Sequence, residues 1–217
     1  MPITLDPSLP PSLYPLAWLV GSWQGSGAVH HGEDAADQRV EQQLRCEPRE
    51  DGTLAWTSVI HVIDAPAPLP PTSAFAKEEP AAPAPSGSGR RSLLLRESGV
   101  WTVGEPLPGQ DLERARTAKP GSPEATLSYA LTAELDSGDD ARTWAGEVRG
   151  PRIQLALAGD DGPAPAVGVS HPRLAATRML GYVGGRLMWL WERRDESAGA
   201  SAGGELAPYL SLELDRA

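Results

Sequence analysis

Turn-forming residues cut this chain into short apolar runs, and none of the runs is long or periodic enough for a sizeable helix. Residues 38–47 and 53–63 read as two strands joined by a turn at Pro48-Arg49-Glu50-Asp51-Gly52. Thr57, Val59, Ile60, Val62 and Ile63 give the second strand its β-branched surface. Both of its faces are largely apolar, which predicts a strand between two buried layers. Residues 91–96 and 100–103 flank Ser98-Gly99. Then come 125–135, 143–149 and 153–158, the last alternating Ile153, Leu155 and Leu157. Gly184-Gly185 separates 174–183 from 186–194, a strong hairpin signal. A last strand spans 206–215. About ten strands at short spacing predict an all-β chain, an up-and-down antiparallel barrel or a sandwich. Closure into a barrel would remove the exposed edges of an open meander.

Two stretches interrupt this rhythm. Residues 64–89 carry seven Pro, much Ala and a Ser-Gly-Ser-Gly end. Such a segment buries too little apolar area to offset the entropy of ordering it, so it reads as a mobile insertion within one domain spanning 1–217. Residues 104–123 resemble it, with room for one helical turn at 111–118. Near the amino end, Pro2, Pro7, Pro10, Pro11 and Pro15 forbid a long helix.

Composition removes several function classes. No apolar run approaches the roughly 20 residues a bilayer-spanning helix needs, and no basic start precedes an apolar stretch. The expectation is a cytoplasmic protein without a membrane partner. A net charge of −10 gives no footprint for a phosphate backbone, so nucleic acid is not expected as a partner. One cysteine, Cys46, rules out an internal disulfide and a cysteine-clustered zinc site. Seven Trp in a chain with a single Phe argue for a core or a lined cavity built on indole rings.

Residues that could carry chemistry are few. His30-His31 would point to opposite faces of a strand and so could not share one metal; polar residues at a barrel mouth are the preferred reading. His61, in an apolar strand, reads as a satisfied core histidine before it reads as a ligand. His171 precedes Pro172 in a loop and reads as structural. Asp139-Asp140 and Asp160-Asp161-Gly162 lack calcium-loop spacing and read as turn residues. No metal site is expected. Hydrolase, zincin and nucleotide-binding motifs are absent.

The informative segment is Gly21-Ser22-Trp23-Gln24-Gly25-Ser26-Gly27. Alternation puts Gly21, Trp23, Gly25 and Gly27 on one strand face, where missing side chains admit a neighbouring backbone or a flat ligand. The architectural role is preferred, with Trp23 plugging one end of a barrel. This segment resembles the opening of the nitrobindin family, whose signature is G-x-W-x-G-x-G. Residues 177–187, Thr-Arg-Met-Leu-Gly-Tyr through Gly-Gly-Arg-Leu, and 208–216, Pro-Tyr-Leu-Ser-Leu-Glu-Leu-Asp-Arg, are similar to its penultimate hairpin and last strand. The resemblance implies a ten-stranded barrel related in shape to fatty-acid-binding proteins and lipocalins. It also implies ferric haem b, nitric oxide binding and isomerisation of peroxynitrite to nitrate.

The departure lies at Tyr209, which stands where the family's proximal histidine would ligate iron. After the signature, His31-Gly32-Glu33-Asp34 replaces the family's Pro-Thr pair. Tyrosinate ligates ferric haem in some proteins, but it needs a phenol ionised far below its usual pKa of about 10 and a nearby cation, for which Arg178 and Arg216 are available. Alternation adds an objection, since Leu210, Leu212 and Leu214 share one face and Tyr209 falls on the other. Three readings stay open. The first is a non-enzymatic barrel that lacks stable haem ligation and holds a small apolar or porphyrin-like ligand. The second is a ferric haem b protein that binds nitric oxide or isomerises peroxynitrite. The third is a carrier of fatty acids or similar apolar molecules.

Overall fold

A computed structural model describes residues 8–31, 36–66, 87–119, 121–138, 140–159, 174–194 and 206–217. Ten strands follow in chain order: β1 (Gly21–Val29), β2 (Gln38–Pro48), β3 (Leu54–Pro66), β4 (Arg91–Pro106), β5 (Ser128–Asp136), β6 (Ala141–Arg149), β7 (Arg152–Ala158), β8 (Leu174–Val183), β9 (Arg186–Arg194) and β10 (Leu206–Arg216). Each pairs antiparallel with the next, and β1 pairs with β10, so the sheet closes into a barrel. The alternative of a sandwich is thereby excluded. No helix among the described residues is long and apolar enough to cross a membrane.

The two ends of the barrel differ. At one end β2–β3, β6–β7 and β8–β9 are joined by tight turns, and Gly184 (φ +62°) and Gly185 (φ +93°) both adopt the left-handed backbone that a two-residue hairpin requires. A 3-10 helix, Pro11–Leu16, lies across this end and is tied to the β2–β3 turn by Ser12 Oγ, which donates to the Gly52 carbonyl at 2.9 Å. Leu13, Leu16 and Leu19 are fully buried beneath it. Trp23 is 1 % exposed, and its indole N–H donates to the Leu19 carbonyl at 2.8 Å. Arg216 closes this plug from outside. Its guanidinium stands 4.6 Å from the Trp23 ring centroid and donates to the carbonyls of Val20 (2.9 Å) and Trp18 (3.0 Å).

Glycines at the β1–β10 seam permit an unusually close approach. A Cβ on Gly25 would lie 2.1 Å from the Glu213 carbonyl oxygen, and one on Gly27 would lie 1.8 Å from that of Ser211. No side chain fits there. The backbone of β10 occupies that space.

Three sequence expectations are corrected. The break at Ser98-Gly99 does not occur, because β4 runs unbroken from Arg91 to Pro106. Gly99 serves packing, since its Cβ would meet the Glu134 carbonyl oxygen at 2.0 Å. β3 does not lie between two buried layers: Leu54, Trp56, Ser58 and Ile60 point inward and are buried, while Ala55, Thr57, Val59 and His61 face outward and are partly exposed. His61 is therefore not a core histidine. The helical turn expected at 111–118 is present as α1 (Leu112–Thr117), with the Asp111 carboxylate accepting from the Arg114 N–H at 2.9 Å. Most of the 64–89 stretch, together with His171, Asp139 and Asp160-Asp161-Gly162, lies outside the described residues.

Candidate functional site

Alternation along the strands sends one side chain in two into the barrel, and the indoles fill much of its middle. Trp56 and Trp101 stack with centroids 4.9 Å apart. Trp189 donates to Gln42 Oε1 at 2.8 Å, and Gln42 Nε2 donates to Ser58 Oγ at 2.8 Å. Above this layer, Arg178 on β8 and Glu97 on β4 form a two-pronged ion pair, with both N···O distances 2.8 Å. Arg178 is 3 % exposed and Glu97 5 %. Trp56 adds its N–H to the same carboxylate at 3.0 Å, and the Arg178 guanidinium lies 4.3 Å from the Trp144 ring centroid and 4.2 Å from that of Trp191. Parallel N–H···O bonds and aromatic faces offset part of the cost of taking both charges out of water.

This ion pair is the base of a cavity of about 630 Å³ that opens at the end opposite the 3-10 helix. Its walls carry Trp144, Trp191, Tyr209, Leu95, Leu157 and Ala176, and its rim carries His30, His31, Arg142, Arg193, Arg194 and Asp140. Inward positions of β4 to β9 supply most of the lining, together with one residue of β10 that reaches it by a register change.

That residue is Tyr209. Pro208 pairs with Glu192 and Leu210 pairs with Trp191, so Tyr209 is an extra residue, a β-bulge in β10. Strict alternation would send it outward, away from the buried Leu210, Leu212 and Leu214. The bulge breaks the alternation, and Tyr209 turns to the cavity side. Its ring meets Trp191 edge-on at 5.0 Å and 88°, and the Arg193 guanidinium stands 3.7 Å from its centroid. The objection from strand alternation is thus overturned. Of the two arginines available in sequence, Arg178 is committed to Glu97 and Arg216 sits at the opposite end of the barrel. The cation beside Tyr209 is Arg193. It shares the inward face of β9 with Leu187, Trp189 and Trp191, a pattern that could have revealed it in the sequence.

The signature residues do not join this site. Gly21, Trp23, Gly25 and Gly27 lie along β1, and none lines the mouth cavity. His30 and His31 stand at the rim with separate partners. His30 Nδ1 lies 2.9 Å from the Asp37 carboxylate and Nε2 lies 3.1 Å from Ser211 Oγ, while His31 Nε2 meets Gln38 Oε1 at 2.9 Å. Cys46 is buried, and burial pushes its thiol well above the ordinary range, so it offers no nucleophile. Among the described residues, no three His, Cys, Asp or Glu side chains converge to hold a metal ion.

Comparison with known proteins points one way. Residues 12–216 match the family described as the THAP4-like, heme-binding beta-barrel domain. The chain is 31% identical over 240 residues to a peroxynitrite isomerase of Micrococcus luteus, covering 100% of this chain and 88% of that one. It is 29% identical to a peroxynitrite isomerase of Kocuria rhizophila, covering 100% and 96%. A ferric nitrobindin-like protein of Beutenbergia cavernae is 30% identical, covering 100% and 99%. The crystal structure of Rv2717c from M. tuberculosis superposes with a TM-score of 0.52 at 18% identity, over 97% of this chain and 99% of that one, a likeness of fold.

Proposed function

The chain belongs to the THAP4-like haem-binding β-barrel family, the nitrobindins, and from that premise we propose that it is a non-enzymatic binding protein whose mouth cavity takes a small ligand without ligating haem iron. The observation that carries this reading is the environment of Tyr209, at the position the resemblance gives to the proximal histidine. A neutral phenol is a poor donor to ferric iron, and ionising it calls for a cation at the oxygen. Arg193 instead lies over the face of the ring. Of the two imidazoles at the rim, His30 has both nitrogens engaged, by Asp37 and Ser211, and His31 has its Nε2 on Gln38. The base of the cavity is the Glu97–Arg178 pair, not an apolar slot for a porphyrin face. This donor set does not fit iron held in the family's way.

A second reading draws support from the bulge. With Tyr209 on the cavity side, a tyrosinate-ligated ferric haem that isomerises peroxynitrite is the alternative. The fatty-acid carrier reading is weaker, because the Glu97–Arg178 ion pair, and not apolar side chains, forms the base where an acyl chain would end. Titration with haemin, followed at the Soret band, decides. The natural chain is expected to give only the broad spectrum of free haemin, and Tyr209→His a sharp band. Tight binding by the natural chain that is lost in Tyr209→Phe would overturn the proposal in favour of tyrosinate ligation.

A further inference from the structure

We infer that the mouth cavity recognises a planar organic anion, with its carboxylate on Arg193 and its flat body against the corner formed by Trp191 and Tyr209. The inference rests on the reading that the cavity's ligand is not held through iron, and it names the class of molecule that takes that place.

Charge pairing around the cavity carries the first part. Of its two lining carboxylates, Glu97 is matched by Arg178 and Asp140 by Arg142. Arg194 donates to the Leu174 carbonyl at 3.1 Å. Arg193 is left. It is exposed, and its contact among the described residues is the Tyr209 ring face, which neutralises no charge. Among the described lining residues, four arginines stand against two carboxylates, the opposite sign to the chain's net charge of −10. Such a local reversal of sign draws anions to the opening.

Geometry carries the second part. A guanidinium stacked on a ring keeps its N–H groups in its own plane, directed past the ring's edge. An arginine in that posture is held in place by the tyrosine and still offers two parallel N–H donors to a carboxylate. Trp191 stands edge-on to Tyr209 at 88° and edge-on to Trp144 at 80°, so the wall below Arg193 is an aromatic corner, flanked by Leu95 and Leu157. Flat π-systems pack well in such a corner. The volume of about 630 Å³ falls within the roughly 300–1,000 Å³ of small-molecule sites.

The test uses the full chain with 2-naphthoate and its neutral isostere 2-naphthamide, with binding measured by equilibrium dialysis at low salt. The acid is expected to bind at least tenfold more tightly than the amide. Arg193→Gln should erase that ratio, and Arg186→Gln, on the outer face, should leave it intact. Equal affinity for acid and amide in the natural chain, or a ratio that survives Arg193→Gln, overturns the proposal; so does a ratio lost equally in Arg186→Gln. Neither probe contains a metal. A failure here is therefore separate from a failure of the preceding reading, which the Soret titration alone would register.

Discussion

Two arginines stack on aromatic rings at opposite ends of this barrel, and they do different things. At the closed end Arg216 covers Trp23 and also donates to two backbone carbonyls, so the contact is complete and the ring beneath it is buried. At the open end Arg193 covers Tyr209 and has no carboxylate or carbonyl partner among the described residues. The same pairing therefore works as a plug at one end and as an unfinished site at the other. What separates them is the chain around each. Tight turns, the 3-10 helix and the 107–127 connection lie at the Trp23 end, whereas the connections 67–90, 159–173 and 195–205 join strands at the Tyr209 end. Packing decides stability at the first, and an unmatched charge decides recognition at the second.

Substitutions can break this contrast or sharpen it. Trp23→Ala should be among the costliest, at roughly 3–5 kcal/mol, because it empties the plug. A urea midpoint equal to that of the natural chain would show that the closed end does not hold the fold together. Glu97→Ala belongs beside it, at about 3–5 kcal/mol, since it strands the Arg178 charge in the interior. Replacing the pair together, Glu97→Leu with Arg178→Met, should recover most of that loss in the same denaturation experiment. Gly27→Ala should cost about 1–3 kcal/mol, because the new methyl meets the β10 backbone and not a movable side chain. Calorimetry on that variant would read it as a lowered Tm. Arg193→Gln, by contrast, should leave stability within about 0.5 kcal/mol while removing the preference for anions.

The smallest effect lies in two exposed carboxylates, one near each end. Hydrogen bonds from the Thr53 hydroxyl and then its N–H lower the Asp51 pKa, and those from the Ser88 hydroxyl and N–H lower that of Asp64. Folded-state values below the unfolded ones mean that each contribution is present above the unfolded pKa and lost as pH falls through the folded one. Carbon-detected NMR titration should find both carboxyls titrating below the ordinary aspartate range. Thr53→Val and Ser88→Ala should each return its own partner toward that range.

Much of the fold was legible because hairpin chemistry is local. Gly184-Gly185 marked its turn, the alternating runs marked their strands, and the Gly-Trp-Gly-Gly face marked β1. The failures were non-local. Ser98-Gly99 carries a turn's composition, yet Gly99 is there because the β5 backbone passes too close for a side chain, which no reading along β4 alone could reveal. The bulge at Tyr209 has no residue signature of its own. It is defined by pairing with Glu192 and Trp191 on another strand, so alternation along β10 alone raised an objection to a cavity-facing Tyr209 that the pairing removes. Glu97 was missed for a related reason: it sits beside the expected break, and its partner Arg178 lies four strands away.

The glycine seam between β1 and β10 also dictates an order of events as the chain is made. The first strand emerges before the other nine, but the edge that Gly25 and Gly27 keep open can be filled only by Ser211 to Leu214 of the last one. Until then the nascent sheet carries an unpaired edge at β1, shaped to accept a backbone at short range. Trp23 waits as well, since its cover, Arg216, is the last residue of β10. The barrel thus closes in one long-range step, and until β10 is made the waiting edge of β1 is open to pairing with other chains.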